Sequence, residues 1–356
     1  MWLGVLCLLV LAPVGQDWPA FRGSGGAGRA AGVSLPRDFD AGVHEAWRAS
    51  VPPGFSSPVV AAGKVVLSGV DRGRPVVVAH DANSGALLWR RWLSASGIQV
   101  SDAVDERAQD ASLAPSTPVF DGERVVVFFP HLGLVALDLD GGMLWTHPME
   151  PSLEPFPVAS SPVARDGIIF QQALRAGEGE VLALRAENGE LLWRTPWRSA
   201  HTSHATPLVI GQRLVVSGSL RAAGLDRSTG DVRWSLSGMA WQGRPMPCDA
   251  GDRIVLLSAM PTAGLEGRAR QELDWQEVLE RYDRDGSGLV EKEEYDAEEI
   301  GESFGMFDSD RSGAIDPREW DAYATWTRSE SALWGISLDG EPLWKVRRGI
   351  RRIRPR

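Results

Sequence analysis

The sequence predicts a mainly β fold, a β-propeller of four-stranded blades with a small α-helical insertion. Three observations predict it. A strand-turn-strand unit ending in tryptophan occurs five times, closing at Trp89, Trp145, Trp193, Trp234 and Trp344. Counted from Trp47, the steps between tryptophans are 42, 56, 48, 41 and 110 residues, against the roughly 40 to 50 that a four-stranded blade takes. The last step is long enough for a blade and a second module, and its excess carries a helical, acidic pattern.

The first unit shows how the pattern works. Val76 to Asp81 is apolar and β-branched, Asn83-Ser84-Gly85 supplies the polar residues and glycine of a tight turn, and Leu87-Leu88-Trp89 opens the next strand. The other units run Ala136 to Trp145, Ala183 to Trp193, Gly224 to Trp234 and Gly335 to Trp344. A second repeat stands upstream of each: Ser56-Ser57-Pro58, Ser116-Thr117-Pro118, Ser160-Ser161-Pro162, Ala205-Thr206-Pro207 and Pro245-Met246-Pro247. A short turn and an apolar run follow, such as Lys64 to Leu67 or Arg124 to Val127, which makes four strands per unit. A tryptophan ring buried between sheets would contribute about 2 to 3 kcal/mol.

The Ala-x-Asp-x-x-x-Gly-x-x-x-Trp spacing resembles the docking-tryptophan repeat of propellers similar to the pyrroloquinoline-quinone (PQQ) enzymes and to the bacterial outer-membrane-assembly propeller lipoprotein. Asp17-Trp18-Pro19-Ala20-Phe21-Arg22-Gly23 is similar to the opening of secreted bacterial members. The resemblance covers roughly residues 17 to 261 and 331 to 345. It implies the propeller fold, and by its guide of seven or eight blades the five units read as a truncated ring. Quinone-oxidising members hold their cofactor with an adjacent cysteine pair, a stacking tryptophan and a calcium ion. This chain has only Cys7 and Cys248, far apart in sequence.

Trp2 to Val14 is an apolar run matching a signal-peptide core, shorter than the roughly 20 residues that span a bilayer. Val5-Leu6 before Cys7 does not fit a lipoprotein signal. Asp17 to Pro36 is rich in Gly, Ala and Arg and reads as an extended arm. His44 to Arg48 reads as the last strand of a blade whose other strands are missing upstream. The basic run Lys345 to Arg356 could meet an anionic surface.

The insertion carries the most legible chemistry. Asp283, Asp285, Ser287, Leu289, Glu291 and Glu294 fall at positions 1, 3, 5, 7, 9 and 12 of an EF-hand loop, with Gly288 at position 6 and Val290 at position 8. Asp308, Asp310, Ser312, Ala314, Asp316 and Glu319, with Gly313 and Ile315, repeat the pattern 25 residues later. Calcium takes six to eight hard oxygens at about 2.3 to 2.6 Å, so short Asp and Ser side chains surround it while Glu294 and Glu319 reach back with both oxygens. Leu289 and Ala314 would offer backbone carbonyls, and Val290 and Ile315 would pair between the loops. Two calcium ions are the cofactors this pattern implies.

Helical spacing flanks both loops: Trp275, Leu279 and Tyr282 within Arg268 to Tyr282; Ile300, Phe304 and Phe307; then Trp320, Tyr323 and Trp326. Residues 271–330 hold 19 acidic against 6 basic side chains, a net of −13, while the whole chain carries −10. The acidity therefore belongs to the insertion, and calcium would relieve its repulsion. His201 and His204 could share a metal but more simply pack or hydrogen-bond. Asp102 to Asp110 reads as a solvated acidic loop. No nucleotide-binding glycine loop or catalytic elbow appears, and no nucleic-acid partner or transmembrane helix is expected.

The resulting plan is a signal peptide at 1–16, an arm and orphan strand at 17–50, blades at 51–261, the EF-hand pair at 262–330, and a returning hairpin with a basic tail at 331–356. The expected function is that of a periplasmic or secreted, calcium-binding, non-catalytic propeller. It would scaffold or bind a protein or carbohydrate ligand on its face. The rival expectation is a PQQ-dependent dehydrogenase.

Overall fold

The computed structural model describes residues 17–30, 32, 37–38, 40–93, 114–151, 157–199, 201–258, 273–295, 304–308, 312–329 and 331–347. Five blades follow one another, each a four-stranded antiparallel sheet. The first comprises β1 (Val59–Ala61), β2 (Lys64–Asp71), β3 (Arg74–Asp81) and β4 (Leu87–Trp92). The second comprises β5 (Val119–Phe120), β6 (Val125–Phe129), β7 (Gly133–Leu137) and β8 (Met143–Pro148). The third comprises β9 (Val163–Arg165), β10 (Ile168–Ala173), β11 (Gly177–Arg185) and β12 (Leu191–Ser199), and the fourth β13 (Leu208–Ile210), β14 (Arg213–Ser217), β15 (Arg221–Asp226) and β16 (Val232–Ser237). In the fifth, β17 (Cys248–Asp249) and β18 (Arg253–Ser258) are joined, after a long excursion, by β21 (Ala332–Ser337) and β22 (Pro342–Arg347). The first strands of successive blades adjoin one another.

Burial explains the strand sequences. The middle strands of the second blade are covered on both faces by neighbouring blades, so β6 and β7 are buried throughout and read as continuous apolar runs, whereas β18 of the last blade alternates between buried and half-buried. Each outer strand is an edge, and most of it is exposed apart from its tryptophan. Leu87, Leu88, Met143, Leu144 and Leu343 are accordingly exposed despite being apolar.

Each tryptophan acts on the blade that follows it. The indole N–H groups of Trp47, Trp89, Trp145, Trp193 and Trp234 donate to the carbonyls of Ala82, Leu139, Ala186, Arg227 and Leu338, at 2.8 to 3.1 Å. Their rings lie against Gly85, Gly141, Gly189, Gly230 and Gly340, where a Cβ would stand 2.3 to 2.8 Å from the nearest ring atom. The repeated turn glycine thus supplies both a positive φ and a flat seat for the preceding blade's ring. Across the ladder each terminal tryptophan faces a small residue at a bulge: Ala79, Ala136, Ala183, Gly224 or Gly335. At Gly224 a Cβ would meet Trp234 at 2.3 Å.

The Ser/Thr-Pro entries also tie blade to blade. The amides of Ser57, Thr117 and Ser161 donate to the hydroxyls of Thr117, Ser161 and Thr206, at 3.0, 3.0 and 3.1 Å. Ser68 and Ser116 hydroxyls reach the Ser116 and Ser160 carbonyls, both at 2.9 Å. Most buried polar groups of this ladder are paired across the interfaces; the Ser160 hydroxyl is the exception, buried without a partner among the described residues.

The segment before the blades departs from expectation in one respect. Helix α1 (Ala41–His44) is a single turn, and Glu45 to Arg48 forms no ladder, because no described strand lies beside it to pair with. Trp47 nevertheless docks like the others. The arm is held: Trp18 bridges to Val60, and the Phe120 amide donates to the Pro19 carbonyl at 2.7 Å. Phe21 packs with the cluster around Leu208 and Met246. Among the described residues no helix is long and apolar enough to cross a membrane.

Candidate metal centre

The excursion between β18 and β21 contains α2 (Trp275–Tyr282), a two-stranded pairing of β19 (Val290–Glu291) with β20 (Ala314–Ile315), and α3 (Pro317–Arg328). Both helices open on a reciprocal capping box. In α2 the Asp274 carboxylate accepts the Glu277 amide while Glu277 reaches back; in α3 Asp316 and Glu319 do the same. Val278, rather than Leu279, is the fully buried aliphatic residue of α2. Of the expected helical stretch Arg268 to Tyr282, residues 268–272 lie outside the described residues.

In the first loop Asp283 is the anchor. Its Oδ1 accepts the Gly286 and Ser287 amides at 2.7 and 3.1 Å, and its Oδ2 accepts the Gly288 amide at 2.9 Å. Asp285 accepts the Ser287 amide at 2.9 Å, and the Ser287 hydroxyl lies 3.3 Å from Glu291. Glu294 folds back so that Oε1 accepts the Arg284 and Asp285 amides at 2.7 and 3.2 Å and Oε2 accepts the Glu291 amide at 3.2 Å. One carboxylate oxygen from each of Asp283, Asp285 and Glu294 lies within 4.8 Å of the others. Two oxygens on one calcium ion stand at most about 5 Å apart, so this spacing fits the ion. Leu289 sits at position 7, between Gly288 and the pairing strand β19.

The carboxyls of this loop crowd one another. The Glu291 carboxyl is pushed above its usual range, chiefly by the Glu294 carboxyl beside it. Burial alone would raise Glu294, which is 8% exposed, but the amide donors and Glu291 hold it below the usual range.

In the second loop Asp308 accepts the Gly313 amide through Oδ2 at 3.2 Å, and Ser312 hydrogen-bonds the Ala314 carbonyl at 2.9 Å. Asp308 Oδ1 is buried and has no hydrogen-bond partner among the described residues. Asp316 is occupied on both oxygens: Oδ1 by the Arg318 and Glu319 amides at 2.8 and 2.9 Å, Oδ2 by the Arg318 guanidinium. A ninth-position residue so engaged suits a contact through water. The Glu319 carboxylate is buried and accepts the Asp316 amide at 3.2 Å. Asp310 lies outside the described residues. Val290 and Ile315, each 1% exposed, are directly paired.

An aromatic core backs the loops. Phe307 stacks on Trp320 with ring centres 5.2 Å apart and lies 4.1 Å from Tyr323, which touches Trp326 at 5.3 Å. The Trp320 indole donates to the Leu273 carbonyl at 3.0 Å. Two residues that the sequence did not single out join this core from blade 4: Leu220 and Trp241. His201 lies edge-on to Trp241, and its Nδ1 accepts the Thr202 amide at 2.7 Å. Among the described residues, Asp283, Asp285 and Glu294 are the one convergent group of three or more His, Cys, Asp or Glu, so His201 and His204 are not gathered with a third ligand. The 102–110 loop lies outside the described residues.

Docked tryptophans, bulged four-stranded blades and an EF-hand-patterned insertion together define a PQQ-type repeat propeller. Comparison with known proteins agrees. The repeat-family model described as outer membrane protein assembly factor BamB matches residues 37–206 and 155–262, more than half of the chain, and the chain belongs to that family. An EF-hand model matches residues 300–322. BamB of Bordetella pertussis is 27% identical over 199 residues, 54% of this chain and 44% of the relative. The chain thus spans less than half the length of that relative. Among solved structures, BamB from Moraxella catarrhalis matches 57% of each chain at 14% identity and a TM-score of 0.38. A europium-containing methanol dehydrogenase matches at 11% identity, 52% of this chain and 41% of that one, with a TM-score of 0.41. A quinohemoprotein alcohol dehydrogenase from Pseudomonas putida HK5 matches at 16% identity, 60% of this chain and 38% of that one, also with a TM-score of 0.41.

Proposed function

We propose that this chain is a calcium-binding, non-catalytic, extracytoplasmic propeller that acts as a scaffold or protein-binding module. The observation that carries the cation is Asp308 Oδ1, a buried carboxylate oxygen with no hydrogen-bond partner among the described residues. A desolvated anionic oxygen is costly unless something positive meets it. At position 1 of an EF-hand loop that partner is calcium. Asp283, Asp285, Ser287, Glu291, Glu294 and the Leu289 carbonyl would hold one ion. Asp308, Asp310, Ser312, Asp316, Glu319 and the Ala314 carbonyl would hold the other. Bound calcium would supply charge neutralisation and order to the hand pair.

The name of the Bordetella relative, an assembly factor, supports a protein as the partner on the propeller face rather than a carbohydrate. Calorimetric titration of the full chain tests the cation. Two sites are expected, with dissociation constants of about 10⁻⁴ to 10⁻³ M if the hands behave as extracellular modules do; no heat and no retained ion would end this reading. Incubation with PQQ and calcium tests the rival dehydrogenase. No stoichiometric chromophore is expected, and one that turned over an alcohol would replace the scaffold with an enzyme.

A further inference from the structure

Resting on the calcium reading above, we propose that blade 4 is the hand pair's own target. Leu220 and Trp241 fill the aromatic face of α3 that a free EF-hand pair would present to a peptide, so cation binding and seating on the blade are energetically coupled. EF-hand pairs that respond to calcium do so by exposing such an apolar face. Here the face is met from within the chain.

The path is short and continuous. Asp316 and Glu319, ligand positions 9 and 12 of the second loop, sit at the cap and first turn of α3. Trp320, Tyr323 and Trp326 then line one side of the same helix, all buried. The Trp326 ring lies 5.1 Å from that of Trp241, in the connection between β16 and β17. Leu220, at the turn between β14 and β15, is 7% exposed and belongs to the same cluster as Val278, Phe307, Ile315 and Tyr323.

Leu220 is also conformationally marked. Its φ is +60°, a left-handed backbone that a leucine rarely adopts. Its amide donates to the Ala240 carbonyl at 2.9 Å, and the Gly238 and Met239 amides donate to its own carbonyl at 3.0 and 3.1 Å. The turn carrying Leu220 and the connection carrying Trp241 are therefore one hydrogen-bonded unit, and the burial of the leucine side chain against the hand pair offsets its strained backbone. A shift of α3 on cation binding would be felt at both residues and, through the His201 ring 5.6 Å from Trp241, at the entrance to blade 4.

Coupling of this kind is reciprocal: whatever factor calcium adds to the seating, the seat adds to calcium affinity. The test uses the full chain with Leu220→Gly and Trp241→Ala. Glycine accepts the +60° backbone without strain, so the first variant removes the wedge while the blade keeps its turn. Calcium alone, titrated by calorimetry, is expected to bind each variant about 5- to 150-fold more weakly. Hydrogen exchange at residues 219–221 and 239–243 is expected to slow with calcium in the parent and to lose that response in both variants. Parent-like affinity in both variants with two ions still bound, and exchange indifferent to calcium, would overturn the coupling alone. Absence of calcium uptake by the parent would overturn both the coupling and the reading on which it rests.

Discussion

Two glycines provide a measure of how firmly the tryptophan locks hold the blades together. Gly189 and Gly167 share the same φ of +73°, but a Cβ on Gly189 would stand 2.7 Å from the Trp145 ring, whereas a Cβ on Gly167 meets nothing within 4 Å. Alanine at either site incurs the left-handed backbone cost, about 1 to 2 kcal/mol, and gains the same small entropic benefit in the unfolded chain. Only at Gly189 must the ring also move, and forcing a side chain into a packed interface costs about 1 to 3 kcal/mol more. Trp145 is 8% exposed and its indole is already fixed to the Ala186 carbonyl at 2.9 Å, so it has little room to yield. Urea denaturation followed by far-ultraviolet circular dichroism on both variants gives the comparison, with intrinsic fluorescence checking that a single transition is seen. Gly189→Ala is expected to be the less stable by about 1 to 3 kcal/mol. Equal losses in the two variants would refute the claim that these rings bear on the neighbouring turn.

Further outcomes are expected from the same structure. Ser116→Ala removes a buried hydroxyl donor from the Ser160 carbonyl, which keeps the Gln171 side-chain amide at 3.3 Å, so it should cost about 0.5 to 1.5 kcal/mol in the same denaturation assay; no loss would show that the inter-blade ladder is incidental. Burial depresses the pKa of His131 below its ordinary value, and that of His147 likewise. A depressed histidine stabilises the fold fully above its unfolded pKa, and the contribution is lost as pH falls through the folded value. Stability should therefore decline as pH falls below the ordinary histidine pKa of about 6.5, and His131→Gln should flatten that decline; an unchanged slope in urea midpoints would contradict it. Glu294→Gln and Glu319→Gln should each abolish one calcium site by calorimetry, while unchanged uptake would detach these residues from the metal.

What was legible in the sequence was local. The Ala-x-Asp-x-x-x-Gly-x-x-x-Trp unit specifies its own turn, because Asp81 and its counterparts accept the amides of the following residues and the glycine takes the positive φ. The EF-hand loops were legible for the same reason: ligand spacing is a property of twelve consecutive residues. What each tryptophan touches was not, because the seat is a glycine of the next blade, 37 to 52 residues away except across the insertion, where Trp234 reaches Gly340. The pairing of the serines and threonines before Pro58, Pro118, Pro162 and Pro207 was not legible either, since their partners lie in neighbouring blades. Leu220 and Trp241 carried no signal at all. One is a hairpin tip and the other a connection, and their roles arise only when the hand pair comes to rest on blade 4. The orphan strand read at His44 to Arg48 pairs with no strand among the described residues, and its Trp47 docks on the first blade all the same.

The most direct measurement is a count of ions on the intact chain. Native mass spectrometry after exchange into millimolar calcium should find two calcium ions on the parent, one on Glu294→Gln and one on Glu319→Gln, all removed by chelator. A parent mass identical in calcium and in chelator would contradict the metal centre outright.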